Sequence, residues 1–260
     1  MKAIVLTCDK YVALAKHMIF QYNKLWPDHP FRFRIPYQEL KGKDCHKYEY
    51  IKTPLSIKAT VLRLLEDLSD EEWIYWCIDD KYPISLDLQR IRNLVEWISN
   101  FHNEDISGIS FCHDKRLKSK DLTGRSIRDN EGNVYFELNK YKRIWKHQFV
   151  QVKVIRYMFE NFPDVISPPK AMDEFKRSVK LPDRHRLFTS KDNLAVFGES
   201  TSRGFLTENC YKSIIRNRLT LPEWFSTTNG KTMITGKLKN KRKKHLLITK
   251  YIKGLFDYAR

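Results

Sequence analysis

Trp73-Ile74-Tyr75-Trp76-Cys77-Ile78-Asp79-Asp80 is the stretch that decides the fold. Its first six residues are apolar and show no polar alternation. A strand open to water on one face alternates, so this one is expected to be covered on both faces, like the central strands of parallel sheets. Two aspartates follow at its carboxyl end. Toward the N-terminus, Leu55, Ala59, Leu62, Leu65 and Leu68 recur at helical spacing, with Thr53 read as the N-cap and Pro54 as the first helical residue. Residues 31–35 read as a strand. Residues 10–26 read as a helix opened by Asp9 and ended by Pro27, and residues 3–8 as a buried first strand. Toward the C-terminus, Asp87 is expected to cap a helix that turns Leu88, Ile91, Leu94, Val95 and Ile98 inward. Residues 106–111 read as a short strand, 127–138 as a hairpin around Asp129-Asn130-Glu131-Gly132-Asn133, and 149–162 as a helix. A last strand is expected at 194–197, a loop at 198–204, and a helix capped by Thr207 and reaching residue 219. The β-α alternation over residues 3–100 predicts an α/β fold with a Rossmann-like, mostly parallel sheet flanked by helices. Ligands of such sheets bind beyond the carboxyl ends of the strands. Thr7-Cys8-Asp9 and Asp79-Asp80 therefore fall on one edge.

The composition sets bounds on partners and compartment. The 260 residues include 15 Phe, 13 Tyr and 6 Trp, enough apolar matter for a substantial core. The five cysteines are odd in number and contain no CxxC pair, so neither a disulfide framework nor a structural zinc is expected, and a reducing cytoplasm fits. No stretch reaches the roughly 18 apolar residues needed to cross a bilayer, and residues 1–8 read as a strand and not as a signal peptide. The net charge of +17 calls for an anionic partner. Residues 231–260 hold ten Lys or Arg and one acid, a net +9. The chain is thus read as one domain over 1–230 and a basic C-terminal extension over 231–260. What remains on the domain is ordinary for a protein that handles phosphorylated ligands, so nucleic acid is not required. In the extension Leu247, Tyr251, Leu255 and Tyr258 share one helical face behind a basic run. That pattern is expected to form an amphipathic helix suited to an anionic membrane surface.

Two adjacent carboxylates at a strand end repel each other and resist desolvation. A divalent cation such as Mn²⁺ or Mg²⁺ relieves both, taking carboxylate oxygens together with substrate phosphates. The alternative is that one aspartate caps the next turn and the other is solvated. No GxxxxGK[ST], GxGxxG or GxSxG is present, so a P-loop, a dinucleotide fingerprint and a hydrolase elbow are excluded.

Thr7-Cys8-Asp9, the Thr53-Pro54 helix and the run from Trp73 to Pro83 together resemble the nucleotide-sugar-binding half of GT-A glycosyltransferases, the bacterial and phage capsule or lipopolysaccharide type in particular. The signature here is Asp79-Asp80-Lys81 and not a strict Asp-x-Asp. Ile144-Trp145-Lys146 resembles the family's step on the acceptor side, residues 171–175 its acidic stretch, and 198–204 its closing loop. The resemblance implies a metal-assisted transfer of a sugar from a nucleotide-sugar donor to a glycan or lipid-linked acceptor. Carried over residue by residue, it makes Asp80 the metal ligand and Asp79 a metal or ribose contact, with Thr7 and Asp9 lining the nucleotide pocket. Asp173 and Glu174 are the candidates to deprotonate the acceptor hydroxyl. Arg203 would clamp the diphosphate, and Lys81 would help to neutralise it. The competing reading is a nuclease of PD-(D/E)xK type, from Pro163-Asp164 and Glu174-Phe175-Lys176, which requires acids on adjoining strands.

Overall fold

The computed structural model describes residues 1–100, 106–112, 119–139, 144–164, 169–180, 182–202, 204–222, 225 and 234–235. In chain order the elements are β1 (Lys2–Leu6), α1 (Val12–Leu25), β2 (Arg32–Tyr37), β3 (Tyr48–Lys52), α2 (Ile57–Leu65), β4 (Trp73–Ile78), β5 (Lys81–Leu86) and α3 (Leu88–Ser99). There follow β6 (Gly108–Ser110), β7 (Leu122–Arg128), β8 (Val134–Leu138), β9 (Gln148–Gln151), α4 (Val152–Glu160), α5 (Pro169–Ser178), β10 (Leu187–Ser190) and β11 (Ala195–Glu199). The described chain closes with β12 (Thr201–Ser202), β13 (Phe205–Leu206), α6 (Glu208–Arg216) and β14 (Ile234–Thr235).

A nine-stranded sheet runs in the order β3-β2-β1-β4-β9-β6-β10-β8-β7. The expected mostly parallel sheet is present: β3, β2, β1 and β4 are mutually parallel, and only β9 and β8 run against the common direction. Strand alternation sorts the core into two layers. Ala3, Val5, Tyr75 and Cys77 face one layer with Leu14, Met18, Ile91, Leu94 and Ile214 of α1, α3 and α6. Ile4, Ile74, Trp76 and Ile78 face the other, against Val61, Leu64, Ile155, Met158 and Met172 of α2, α4 and α5. This two-sided cover is why Trp73–Ile78 carries no polar alternation. Each such large side chain, once buried, contributes roughly 2–3 kcal/mol. The indole N–H of Trp76 finds the Ile144 carbonyl at 2.5 Å, so its burial leaves no donor stranded.

Local signals located several helix starts. Asp87 and Thr207 cap α3 and α6 as expected, accepting from the backbone N–H groups of Arg90 and Cys210. The hairpin around residues 129–133 is present between β7 and β8. Other expectations shift. The α2 helix starts at Ile57 with Ser56 as its cap, while the Thr53 hydroxyl accepts from Gln38 and Thr60 instead. Residues 148–151, overlapping the start of the helix expected at 149–162, form β9 between β4 and β6, and only Val152–Glu160 is helical. A buried run as short as Gln148-Phe149-Val150-Gln151 carries too little periodicity to tell the two elements apart, and the gap between β4 and β6 selected the strand. The 194–197 strand is real but belongs to a separate sheet, β14-β11-β5. Ile234–Thr235 pairs with Phe197–Gly198, so the chain returns to this small sheet beyond residue 230. The remainder of the expected amphipathic extension lies outside the described residues. No helix among the described residues is long and apolar enough to cross a membrane.

Candidate functional site

β1 and β4 pair in parallel with Val5 beside Cys77. Two residues further on, Thr7 and Asp79 continue the same row beyond the strand ends, and the Asp79 N–H donates to the Leu6 carbonyl at 3.2 Å. The Thr7 hydroxyl donates to the Cys8 carbonyl at 3.4 Å and lies close enough to the Asp79 carboxyl to lower its pKa. Sequence reading placed these residues on one edge, and the structure brings them into contact.

Asp80 turns to the β12–β13 hairpin. Its Oδ1 accepts from the Thr201 hydroxyl at 2.6 Å and from the Thr201 N–H at 3.2 Å. Ser200 holds the backbone of the pair: its N–H donates to the Asp80 carbonyl at 2.7 Å and its hydroxyl to the Asp79 carbonyl at 3.0 Å. The next residue out, Lys81, pairs with Glu199 at 3.0 Å, with side chains only 13% and 20% exposed. Lys81 is therefore already neutralised by Glu199. Residues 199–201 thus form a clasp on the aspartate turn from more than a hundred residues away in sequence. In the sequence its only trace is the hydroxyl run Ser200-Thr201-Ser202 after Gly198. On the far side, the His147 ring meets the last residue of β4. Its Nε2 lies 3.0 Å from the Ile78 carbonyl, and its Nδ1 lies 2.7 Å from the Tyr22 hydroxyl, which in turn meets Tyr75.

The electrostatics of the pair follow from its place. Burial pushes the Asp79 carboxyl up to about 7; the Thr7 hydroxyl draws it back and the Asp80 charge adds to the rise. Burial also raises Asp80, against the pull of Thr201 and Lys81. Two carboxyl groups, half-buried and both held above the ordinary carboxylate range, form a hard oxygen donor set that a divalent cation would relieve. Among the described residues no group of three His, Cys, Asp or Glu side chains gathers, so phosphate or water oxygens would complete the coordination. Mg²⁺ is commonly bound in that way, through one or two carboxylates.

The other expected site residues sit as follows. The Asp9 carboxylate accepts from the backbone N–H groups of Gln38, Glu39 and Leu40 at 3.1, 2.7 and 3.0 Å. Burial works to raise its pKa, but these three donors outweigh it and hold the group below its ordinary value. Its carboxylate anchors the loop after β2, and it makes no cap to the helix behind it. Asp173 and Glu174 lie on α5. That helix packs on the α2–α4 side of the sheet: Met172 belongs to the core layer that holds Ile78 and Ile144, and Lys176 lies over the Trp145 ring at 5.9 Å. Glu174 is exposed. Arg203 lies outside the described residues. The nuclease pattern lacks its geometry, because Asp164 follows α4 and pairs with Lys58 at 2.6 Å while Glu174 and Lys176 are on a helix.

No protein-family model matches the chain, and no curated protein does. Among solved structures it is similar to the galactosyltransferase LgtC in complex with donor and acceptor sugar analogs, at 14% identity over 88% of this chain and 87% of that one, with a TM-score of 0.38. It is also similar to the 2-C-methyl-D-erythritol 4-phosphate cytidylyltransferase of Francisella tularensis, at 10% identity over 84% and 98% of the two chains, with a TM-score of 0.39. The 4-diphosphocytidyl-2C-methyl-D-erythritol synthase of Anaerococcus prevotii gives 10% identity over 84% and 95%, with a TM-score of 0.40. At these values the likeness is one of chain path and says nothing of chemistry.

Proposed function

We propose that the protein is a metal-assisted glycosyltransferase that moves a sugar from a nucleoside-diphosphate sugar to a glycan or lipid-linked acceptor. The observation that carries this reading is the half-buried Asp79-Asp80 pair at the carboxyl end of the central strand, held by Ser200 and Thr201. Asp80, with Asp79 beside it, would hold Mn²⁺ or Mg²⁺. When bound, such an ion neutralises the charge that develops on a departing diphosphate. Thr7 lies beside the Asp79 carboxyl on the nucleotide side. Asp173 or Glu174 of α5 takes the proton of the acceptor hydroxyl as that oxygen bonds to the anomeric carbon. The bond from that carbon to the diphosphate oxygen breaks in the same exchange. Arg203 would stabilise the diphosphate, and the basic segment 231–260 would bring the enzyme to an anionic membrane that carries the acceptor.

The decisive experiment incubates the protein with a panel of nucleotide sugars, with Mn²⁺ or with EDTA, and measures released nucleoside diphosphate. Metal-dependent release supports the proposal. Release of pyrophosphate from a nucleoside triphosphate and a sugar phosphate would replace glycosyl transfer by nucleotidyl transfer. Activity indifferent to EDTA would remove the metal. For the membrane arm, full-length protein and residues 1–230 are sedimented with anionic vesicles, and equal binding would discard the extension as the anchor.

A further inference from the structure

We propose that Thr201 is a positioning residue that fixes which oxygen of Asp80 is presented to a divalent cation. The inference rests on the metal-assisted reading above and adds a determinant from the far end of the chain. Both Thr201 contacts converge on one atom: the hydroxyl at 2.6 Å and the backbone N–H at 3.2 Å reach Asp80 Oδ1. A carboxylate oxygen offers about two lone-pair directions. Two donors occupy Oδ1, and Oδ2 is left for a cation. Without the hydroxyl, the terminal torsion of an aspartate is broad and two-fold, so the carboxylate would be free to turn.

The surroundings fix Thr201 in its turn. Thr201 pairs with Leu206 in the β12–β13 hairpin, and Leu206 is fully buried. The hairpin is closed by the Thr207 N–H donating to the Ser200 carbonyl at 3.0 Å and by the Thr207 hydroxyl donating to the Glu199 carbonyl at 2.7 Å. Thr207 also caps α6. The orientation of Asp80 is therefore set by a rigid element that contributes no ligand of its own, in the manner of partners that orient metal-binding side chains.

The test uses full-length protein and Mn²⁺ alone, with binding followed by loss of the free-ion electron paramagnetic resonance signal. Thr201→Val keeps the branched shape and removes the hydroxyl; Thr201→Ala removes it without bulk; Thr201→Ser keeps it. Circular dichroism and Tm confirm the fold of each, and Thr201→Ala decides if the valine variant does not fold. The expected result is a loss of Mn²⁺ affinity of about 10- to 100-fold in Thr201→Val and Thr201→Ala, with Thr201→Ser close to wild type. Wild-type affinity in the variants without the hydroxyl would overturn the positioning role and leave the metal reading intact. Affinity in Thr201→Ser as low as in Thr201→Val would also overturn it, since the hydroxyl would then not be the determinant. A wild-type protein that takes up no Mn²⁺ would overturn the metal reading, and this inference with it.

Discussion

Asp79 and Asp80 are neighbours in sequence placed beside different parts of the molecule, Asp79 beside Thr7 of the β1 end and Asp80 on Thr201 of the β12–β13 hairpin. Asparagine keeps the shape of either side chain and an acceptor oxygen while it removes the charge. Asp80→Asn is expected to abolish metal-dependent nucleotide-sugar turnover while the Tm stays level or rises, because a desolvated carboxylate has been removed. Turnover measured with and without Mn²⁺ for wild type, Asp79→Asn and Asp80→Asn checks this, and undiminished activity in both variants would refute it. The Asp79 shift also has a pH signature. Its carboxyl is raised from 3.8 to about 7 in the fold, so between those values the native state holds a proton that the unfolded chain has lost. Its contribution to stability therefore falls as pH rises through that window. In metal-free buffer the Tm advantage of Asp79→Asn over wild type should grow from pH 4 to pH 7, as asparagine mimics the protonated form. Asp9 behaves oppositely, as an anion satisfied by three backbone donors. Asp9→Ala removes three hydrogen bonds to a charged group, two of them exposed, and is expected to cost about 1 kcal/mol, read as a lowered urea midpoint.

Among the elements, the β5–β11 pair carries the clasp to the aspartates. Gly198 of β11 lies against the buried Tyr82 of β5, and a Cβ placed there would stand 2.6 Å from the Tyr82 Cζ. The ring has little room to retreat, because it packs on buried His17 with centroids 4.6 Å apart. Gly198→Ala should therefore push β11 from β5 and cost about 1–3 kcal/mol as an overpacked site does. Its Tm should fall by several degrees, and an unchanged Tm would show that the pair adapts without strain. The same two strands show where local reading stops. β11 was visible as Leu194 to Phe197, yet its partner β5 directly follows the aspartates and contains Pro83, a residue that disfavours strand interiors. The strand is tolerated because β5 is an edge strand of its sheet.

At the scale of the whole molecule, four histidines among the described residues are buried, and burial favours their neutral form. Burial lowers His17, His29 and His185 to about 4 and His147 to about 3, from an ordinary 6.5. The unfolded chain takes up protons that the native state refuses, so their contribution is complete above pH 6.5 and is lost as pH falls below it. Global stability from urea unfolding should therefore decline between pH 6.5 and pH 5, and His147→Gln should flatten that decline by up to one proton. An equal slope in that variant would mean that His147 is already accessible to protons. Much of this architecture was written in the sequence. The apolar run from Trp73 to Ile78 required cover on both faces, the β-α alternation required a parallel sheet, and a parallel sheet carries Asp79-Asp80 and Thr7 to one edge. The Asp87 and Thr207 caps were legible because capping is an affair of three or four residues. The tertiary structure alone decided that residues 148–151 extend as β9, that Leu187–Ser190 enters the sheet, and that Asp9 serves a loop some thirty residues away. It alone brought Ser200 and Thr201 to the aspartates, across a separation of 121 residues. The physical reason is range: burial periodicity and capping act within a few turns of chain, whereas a hydrogen bond between distant segments exists only after packing has chosen which strands are neighbours.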